Sequence, residues 1–339
     1  MADNNECDVA IIGAGPVGLF AVFQFGMLGM KAHVVDTLDM VGGQCTALYP
    51  EKPIYDIPGY PRITAADLVE KLTEQAAAVG PVYHLGQQVV ALSRIEAGGR
   101  WRLETSAGTV IDARIVVIAA GAGAFGPNRP PLPGVEDYEG KCVHYMVLRR
   151  QDFAGKRVVV AGGGDSAVDW AISLAEVAEK VSIVHRRAKF RAAPESVNRL
   201  HALADEGRID LIVPYQLAGL EGDGETLEAV IVTDLDGKTR RLEADALLPF
   251  YGLAMSLGPI AEWGLDIEQH HITVDRQTCL TSLDGVFAIG DIAAYPGKLK
   301  LILTGFAEAA TAAHAAWPMI FEGKQLHFEY STTKGLPDR

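Results

Sequence analysis

Apolar positions along the chain first gather in Asp8-Val9-Ala10-Ile11-Ile12, which predicts a short buried strand. Gly13-Ala14-Gly15-Pro16-Val17-Gly18 follows with no spacer. Leu19 to Leu28 then carries the i, i+3, i+4 spacing of a helix and stops at Gly29. A second strand, Ala32-His33-Val34-Val35, ends in Asp36. The same order recurs later. Lys156 to Ala161 predicts a strand, Gly162-Gly163-Gly164-Asp165-Ser166-Ala167 a second glycine loop, and a helix runs on to about Lys180. The next strand, Val181 to Val184, ends in His185-Arg186-Arg187. From first glycine to strand-end residue is 23 positions in one copy (Gly13 to Asp36) and 24 in the other (Gly162 to Arg186). An internal repeat of this kind is a statement about the whole fold.

Between and after the copies the pattern is less regular. Thr37 to Arg62 reads as one long loop, punctuated by Gly42-Gly43, Pro50, Pro53, Pro58 and Pro61. Such length inside a domain usually marks function. Thr64 is placed to cap a helix over Ala65 to Val79, with Asp67 at the capping-box position. Strands are expected at Gln87–Ser93, Trp101–Thr105 and Ile115–Ala119, and Gly126 to Gly134 reads as a linker. A hairpin, Ala229–Thr233 with Arg240–Asp245, is expected around Asp236-Gly237, with a strand at Ala246–Phe250. Gly285 to Asp291 is a further strand ending in Gly-Asp, followed by a small-residue helix over about Gly305 to Met319.

Each repeat has the parts of a dinucleotide-binding unit. Gly13 permits the tight turn, Gly15 lets backbone approach a pyrophosphate, and Gly18 lets helix and strand pack closely. The free N–H groups of the helix N-terminus suit the phosphates. Asp36 can accept hydrogen bonds from a ribose diol, as in FAD or NAD. At the matching point after Gly162 and Gly164, Arg186 and Arg187 offer positive fork donors, joined by Arg191, and these suit a 2′-phosphate and hence NADP. The plain alternative for the arginines is a solvated basic run. Asp291 stands beside a helix start, either as a simple cap or as a ligand to a ribityl chain. Tyr49 and Tyr330 are aromatic residues in polar loops, suited to stacking on a flavin or to ordinary packing.

Length and composition narrow the setting. The 339 residues are enough for two domains. No apolar run approaches the ~20 residues of a membrane span. The polar, acidic start Met1 to Glu6 is unlike a signal peptide, so a cytoplasmic protein without membrane insertion is expected. A net charge of −13 disfavours nucleic-acid binding. The cysteines Cys7, Cys45, Cys142 and Cys279 form no C-x-x-C pair, so no local dithiol or metal knuckle is signalled.

Together the motifs resemble the ferredoxin–NADP reductases of the thioredoxin-reductase-like type. Gly42 to Lys52, Tyr55-Asp56-Ile57-Pro58-Gly59, Gly162 to Trp170, His185 to Arg191, Gly285 to Asp291 and Tyr330-Ser331-Thr332 carry the likeness. It implies an α/β protein of two Rossmann-like three-layer nucleotide-binding domains, the second inserted into the first. Residues 1–122 and 252–339 would bind FAD and residues 123–251 NADPH. It further implies that Asp36, Gln44, Tyr49, Val89, Phe125, Asp291 and Thr332 contact FAD, with Tyr330 stacked on the flavin of a partner subunit in a homodimer. Thioredoxin reductases carry a C-x-x-C dithiol just before the second glycine loop. Here that region, Lys141 to Tyr145, holds only Cys142, so electrons must leave from the flavin itself. The implied reaction passes a hydride from NADPH to the flavin, then single electrons to ferredoxin, with no catalytic acid or base. Arg149-Arg150 and Lys298-Leu299-Lys300 are candidate contacts for that acidic partner. The open alternatives are another acceptor (flavodoxin, a quinone or a disulfide) and a nucleotide-dependent redox sensor without turnover.

Overall fold

The strand Asn5–Ile12 lies between two partners, parallel to Ala32–Val35 on one side and to Val110–Ile118 on the other. This is a computed structural model, and it describes residues 5–95, 99–121, 123–326 and 335. The chain divides into two units, Met1–Phe125 with Met255–Arg339, and Gly126–Ala254.

In the first unit Ala32–Val35 pairs further with Val82–His84. The strand Val110–Ile118 has two kinds of neighbour. Its first half runs antiparallel to Trp101–Glu104, while Val116 to Ile118 lie parallel to Val286–Ala288. Both faces of the sheet are covered, which is why its central strands are apolar at consecutive positions. One face, with Val9, Ile11, Val34, Val117 and Phe287, packs under the helices Pro16–Met27 and Ile302–Ile320. The other face, with Ala10, Ile12, Val35, Val116 and Ile118, meets Val89, Trp101 and Leu103 of an antiparallel meander, together with Leu257, Ile260 and Ile272. Helix, parallel sheet and strand layers therefore stack as three.

The long loop after Asp36 is more structured than its composition suggests. It contains the short helix Gln44–Leu48 and a small hairpin, Pro53–Ile54 with Ile63–Thr64. Thr64 caps the helix Ala65–Ala77, its Oγ1 accepting the N–H of Asp67 at 3.1 Å. Cys45 and Ile57 fold into a small apolar cluster with Leu68 and Leu72 of that helix. The loop is thus anchored from beneath.

In the second unit Ile209–Ile212, Lys180–Val184, Arg157–Ala161 and Ala246–Pro249 form a parallel sheet in that order. The helices are Asp165–Leu174 and Pro194–Asp205. An antiparallel meander, Gln216–Gly222, Leu227–Thr233 and Thr239–Glu243, covers the sheet through Leu217, Val230 and Val232 against Val159, Val184 and Leu247. Asp245 fixes the sheet edge, accepting the amide of Arg157 at 2.7 Å and its guanidinium Nη2 at 2.6 Å.

Candidate functional site

The first glycine loop is shaped by close approach. Gly13 has φ +109°, and a side chain there would come within 2.4 Å of the Ala119 carbonyl oxygen. A Cβ on Gly18 would lie 1.9 Å from the carbonyl oxygen of Gly13. Gly15 differs, because nothing lies within 4 Å of where its Cβ would be. Gly15 is also the N-cap of the helix Pro16–Met27, which has no side-chain cap and begins with proline. Its first N–H groups are left to whatever enters the space beside Gly15.

That space is a cavity of about 290 Å³ lying wholly within the first unit. Gly13, Gly15, Asp36, Gln44, Tyr49, Val89 and Asp291 all line it. Gly18 does not; it is buried beneath the turn that forms the wall. The side chain of Phe125, and Tyr330 and Thr332 entirely, lie outside the described residues. The Gln87-Gln88 pair and the segment from Leu257 to Trp263 also line the cavity. No motif marks them; Gln87-Gln88 stand just before the strand Val89–Ile95, and Leu257 to Trp263 arrive through the return of the chain after the second unit.

Asp36 sits at the end of its strand with both oxygens engaged. Oδ2 accepts the Ala14 N–H at 2.6 Å and Oδ1 the Leu38 N–H at 2.8 Å. Burial raises its pKa above the ordinary 3.8, against the pull of those backbone donors. Cys45, on the same cavity wall, is pushed up to about 11 by burial. Its Sγ lies 3.8 Å from the Tyr49 hydroxyl, whose own pKa burial also raises. A thiol held neutral in this way is no nucleophile at ordinary pH. Asp291 follows Gly290, whose φ is +75°, in a 3-10 turn at the end of Val286–Ala288. The site offers a glycine cradle, free helix amides, a strand-end carboxylate and an aromatic ring. This donor set fits the pyrophosphate, ribose and ring of a flavin adenine dinucleotide.

The second glycine loop has a related geometry. A Cβ on Gly162 would meet the Phe250 carbonyl oxygen at 2.6 Å and that of Ala167 at 2.9 Å. Gly164, like Gly15, has open space beside it and caps the following helix without a side chain. Arg186, Arg187 and Arg191 are exposed, and no ion pair engages them among the described residues. The Arg191 amide is tied to the Gly163 carbonyl at 2.7 Å, so the basic segment is anchored to the glycine loop. His185 is buried, its ring centroid 5.4 Å from that of Phe190 in a stacked arrangement. Desolvation, then Arg191, lowers its pKa below 6.5.

The candidate basic contacts are less free than the sequence suggests. The Lys298 side chain is only 7% exposed and ion-paired with Glu308, so it is no part of an open patch. Arg149 pairs with Asp152 and Arg150 with Glu176. The four cysteines are free and buried; Cys142 Sγ donates to the Glu225 carbonyl at 3.2 Å. Among the described residues no cluster could hold a metal ion, and no helix is long and apolar enough to cross a membrane.

Residues 7–316 match the family model for pyridine nucleotide-disulphide oxidoreductases. The chain is 62% identical to the ferredoxin–NADP reductase of Paramagnetospirillum magneticum, over 98% of both chains. It is 61% identical to that of Rhodospirillum rubrum, over 97% of this chain and 96% of the relative. Among solved structures, Lactococcus lactis thioredoxin reductase superposes with a TM-score of 0.79 at 26% identity, covering 93% of this chain and 99% of that one. The thioredoxin reductase of T. acidophilum also gives 0.79, at 25% identity, covering 93% of this chain and 98% of that one. The chain belongs to the pyridine nucleotide-disulphide oxidoreductase family, among its ferredoxin–NADP reductases of the thioredoxin-reductase-like type.

Proposed function

We propose that this protein transfers electrons between NADP(H) and ferredoxin through bound FAD, as a homodimer in the cytoplasm. The observation that carries the reading is the contrast between the two strand ends. One glycine loop closes on the carboxylate of Asp36, and the other leads into exposed Arg186 and Arg187. A carboxylate suits a ribose with free hydroxyls, and guanidinium groups suit a 2′-phosphate. The family and the curated relatives agree with both cofactors.

FAD, when bound, supplies the two-electron and one-electron chemistry. The chain's own residues hold and shield it. Gly13 and Gly15 bring the backbone close, and the helix amides after Gly15 receive phosphate. Asp36 takes the ribose, with Gln44, Tyr49, Val89 and Asp291 around the remainder. Gly162, Gly164 and the arginines hold NADPH. Phe125 and Thr332 belong to the same FAD assignment, and Tyr330 to the partner-subunit contact. A neutral Cys45 thiol and buried Cys142 leave no dithiol relay among the described residues. That favours an acceptor taking electrons singly over a disulfide.

The test is reduction of purified ferredoxin, flavodoxin and thioredoxin side by side with NADPH. Ferredoxin should be the efficient acceptor, and efficient thioredoxin reduction would overturn the reading. Light scattering after size exclusion checks the dimer: a single-chain mass at micromolar concentration would remove it.

A further inference from the structure

Glu308 lies in the middle of the helix Ile302–Ile320, among alanines, with its side chain only 6% exposed. Its Oε2 accepts the Gly290 N–H at 2.7 Å. Its Oε1 accepts the Tyr295 hydroxyl at 2.6 Å and is ion-paired with the equally buried Lys298. The Lys298 ammonium also lies 5.5 Å from the centre of the Tyr295 ring. One carboxylate thus joins three segments: the helix whose first residue, Ile302, lines the cavity; the turn carrying Asp291; and the loop between them.

This arrangement costs the chain something. Burying a carboxylate and an ammonium is expensive, and an apolar pair of the same size often serves stability equally well. What an apolar pair cannot supply is an acceptor for Gly290. That amide opens a turn whose first residue has φ +75°, and the next residue is Asp291. Asp291 is exposed on the cavity wall, and no hydrogen bond or ion pair restrains its carboxylate among the described residues. Its placement therefore depends on the backbone before it. Ile292, on the far side, is fully buried and fixes the other end of the turn.

We propose that Glu308 is a positioning residue for the cofactor: through the Gly290 N–H it sets Asp291 against the FAD site, while Lys298 neutralises its buried charge. The inference rests on the reading that FAD occupies this cavity. Lys298 then serves the cofactor site from within the first unit, and its place in a surface patch for ferredoxin is given up.

The experiment compares full-length wild type, Glu308→Gln/Lys298→Met, Glu308→Leu/Lys298→Met and Glu308→Asp, each stripped of flavin. FAD uptake is titrated, and the visible flavin spectrum and midpoint potential are recorded on the reloaded proteins. Both double variants remove the buried charges, but only the glutamine keeps an oxygen for Gly290. The expected result is FAD binding about tenfold weaker or more in the leucine variant, with a shifted visible band and potential. The glutamine variant should stay within about threefold of wild type. Equal affinities, spectra and potentials in the two double variants would overturn the inference. Should the leucine variant fail to fold, Glu308→Asp decides. It keeps the charge beside Lys298 but draws back from Gly290, so wild-type FAD binding and spectrum there would overturn the inference too. A wild-type protein that takes up no FAD would instead defeat the cofactor assignment on which it rests.

Discussion

The carboxylate of Asp36 closes the first glycine loop, taking the amide of Ala14 at 2.6 Å across 22 positions of sequence. Its other oxygen takes the Leu38 amide at 2.8 Å, so the strand end, the loop and the following segment share one anchor. With about four acceptor sites, the carboxylate keeps capacity for a ligand hydroxyl beside its backbone donors. Asp36→Ala should therefore weaken FAD binding both by losing the ribose partner and by loosening the loop. Hydrogen bonds to a charged group contribute about 1.5–3 kcal/mol, so a loss of roughly ten- to a hundredfold is expected. Titration of the flavin-free variant with FAD measures it, and unchanged affinity would remove Asp36 from the site.

The two glycines flanking the turn should fail in different ways. Gly18→Ala forces a methyl to 1.9 Å from the Gly13 carbonyl oxygen, inside the packed wall. It should cost about 3 kcal/mol of stability with or without cofactor, read as a fall in melting temperature of the flavin-free protein. Gly15→Ala meets no protein atom within 4 Å, so the flavin-free protein should melt normally while FAD uptake falls. Equal melting losses in both variants would contradict the cradle geometry.

The glycine loops and strand ends are legible because their geometry is local: the residues that make each turn and start each helix are contiguous in sequence. What escaped the sequence was built by distant pairing. Val110–Ile118 carries Asp112 and Arg114, so only its last residues read as a strand; its register is set by neighbours on both sides. The helix Gln44–Leu48 is too short to show a period and is held by Cys45 packing against Leu68. No motif singles out Glu308 within the small-residue helix. Its partner amide, Gly290, is 18 residues away and has no side chain to signal the contact. Lys298 read as a surface lysine for the same reason.

His185 gives the stability of the protein a defined pH dependence. A side chain on Gly163 would come within 2.3 Å of the imidazole, and burial lowers its pKa below 6.5, helped by Arg191. A folded pKa below the unfolded one means that the unfolded state binds the proton first. The contribution to stability is therefore complete above about 6.5 and is lost as pH falls through the folded value. His33, His84 and His144 are lowered in the same direction, so the wild-type slope sums several groups. His185→Phe keeps a flat ring beside Phe190 and removes one titration. Its melting temperature should fall less than that of wild type between about pH 7 and pH 5. An identical slope in the two proteins would show that His185 does not titrate on unfolding.

Cys142 tests the route by which electrons leave. Its thiol is buried, raised in pKa mainly by desolvation, and donates to the Glu225 carbonyl. Cys142→Ser keeps a donor of similar shape and should leave ferredoxin reduction within about twofold of wild type, with at most ~1 kcal/mol lost from stability. A collapse of turnover with intact folding and full flavin content would restore a thiol step to the mechanism.

Arg186 and Arg187 are the residues proposed to set the choice of coenzyme. Both are exposed and outside any ion pair among the described residues, so replacing them removes charge without opening the core. The only feature separating NADPH from NADH is the 2′-phosphate, and a charge-assisted contact to it contributes about 1.5–3 kcal/mol. Arg186→Ala/Arg187→Ala should raise KM for NADPH by about ten- to a hundredfold or more, leaving KM for NADH and kcat with either nearly unchanged. The substitutions leave the glycine loop unchanged, so the variant should bind both coenzymes alike. Adding salt screens exposed charges, the Debye length falling from ~10 Å at 0.1 M to ~3 Å at 1 M, so the NADPH advantage of wild type should shrink with ionic strength while the variant stays flat. If the double variant still prefers NADPH as strongly as wild type, these arginines do not read the 2′-phosphate.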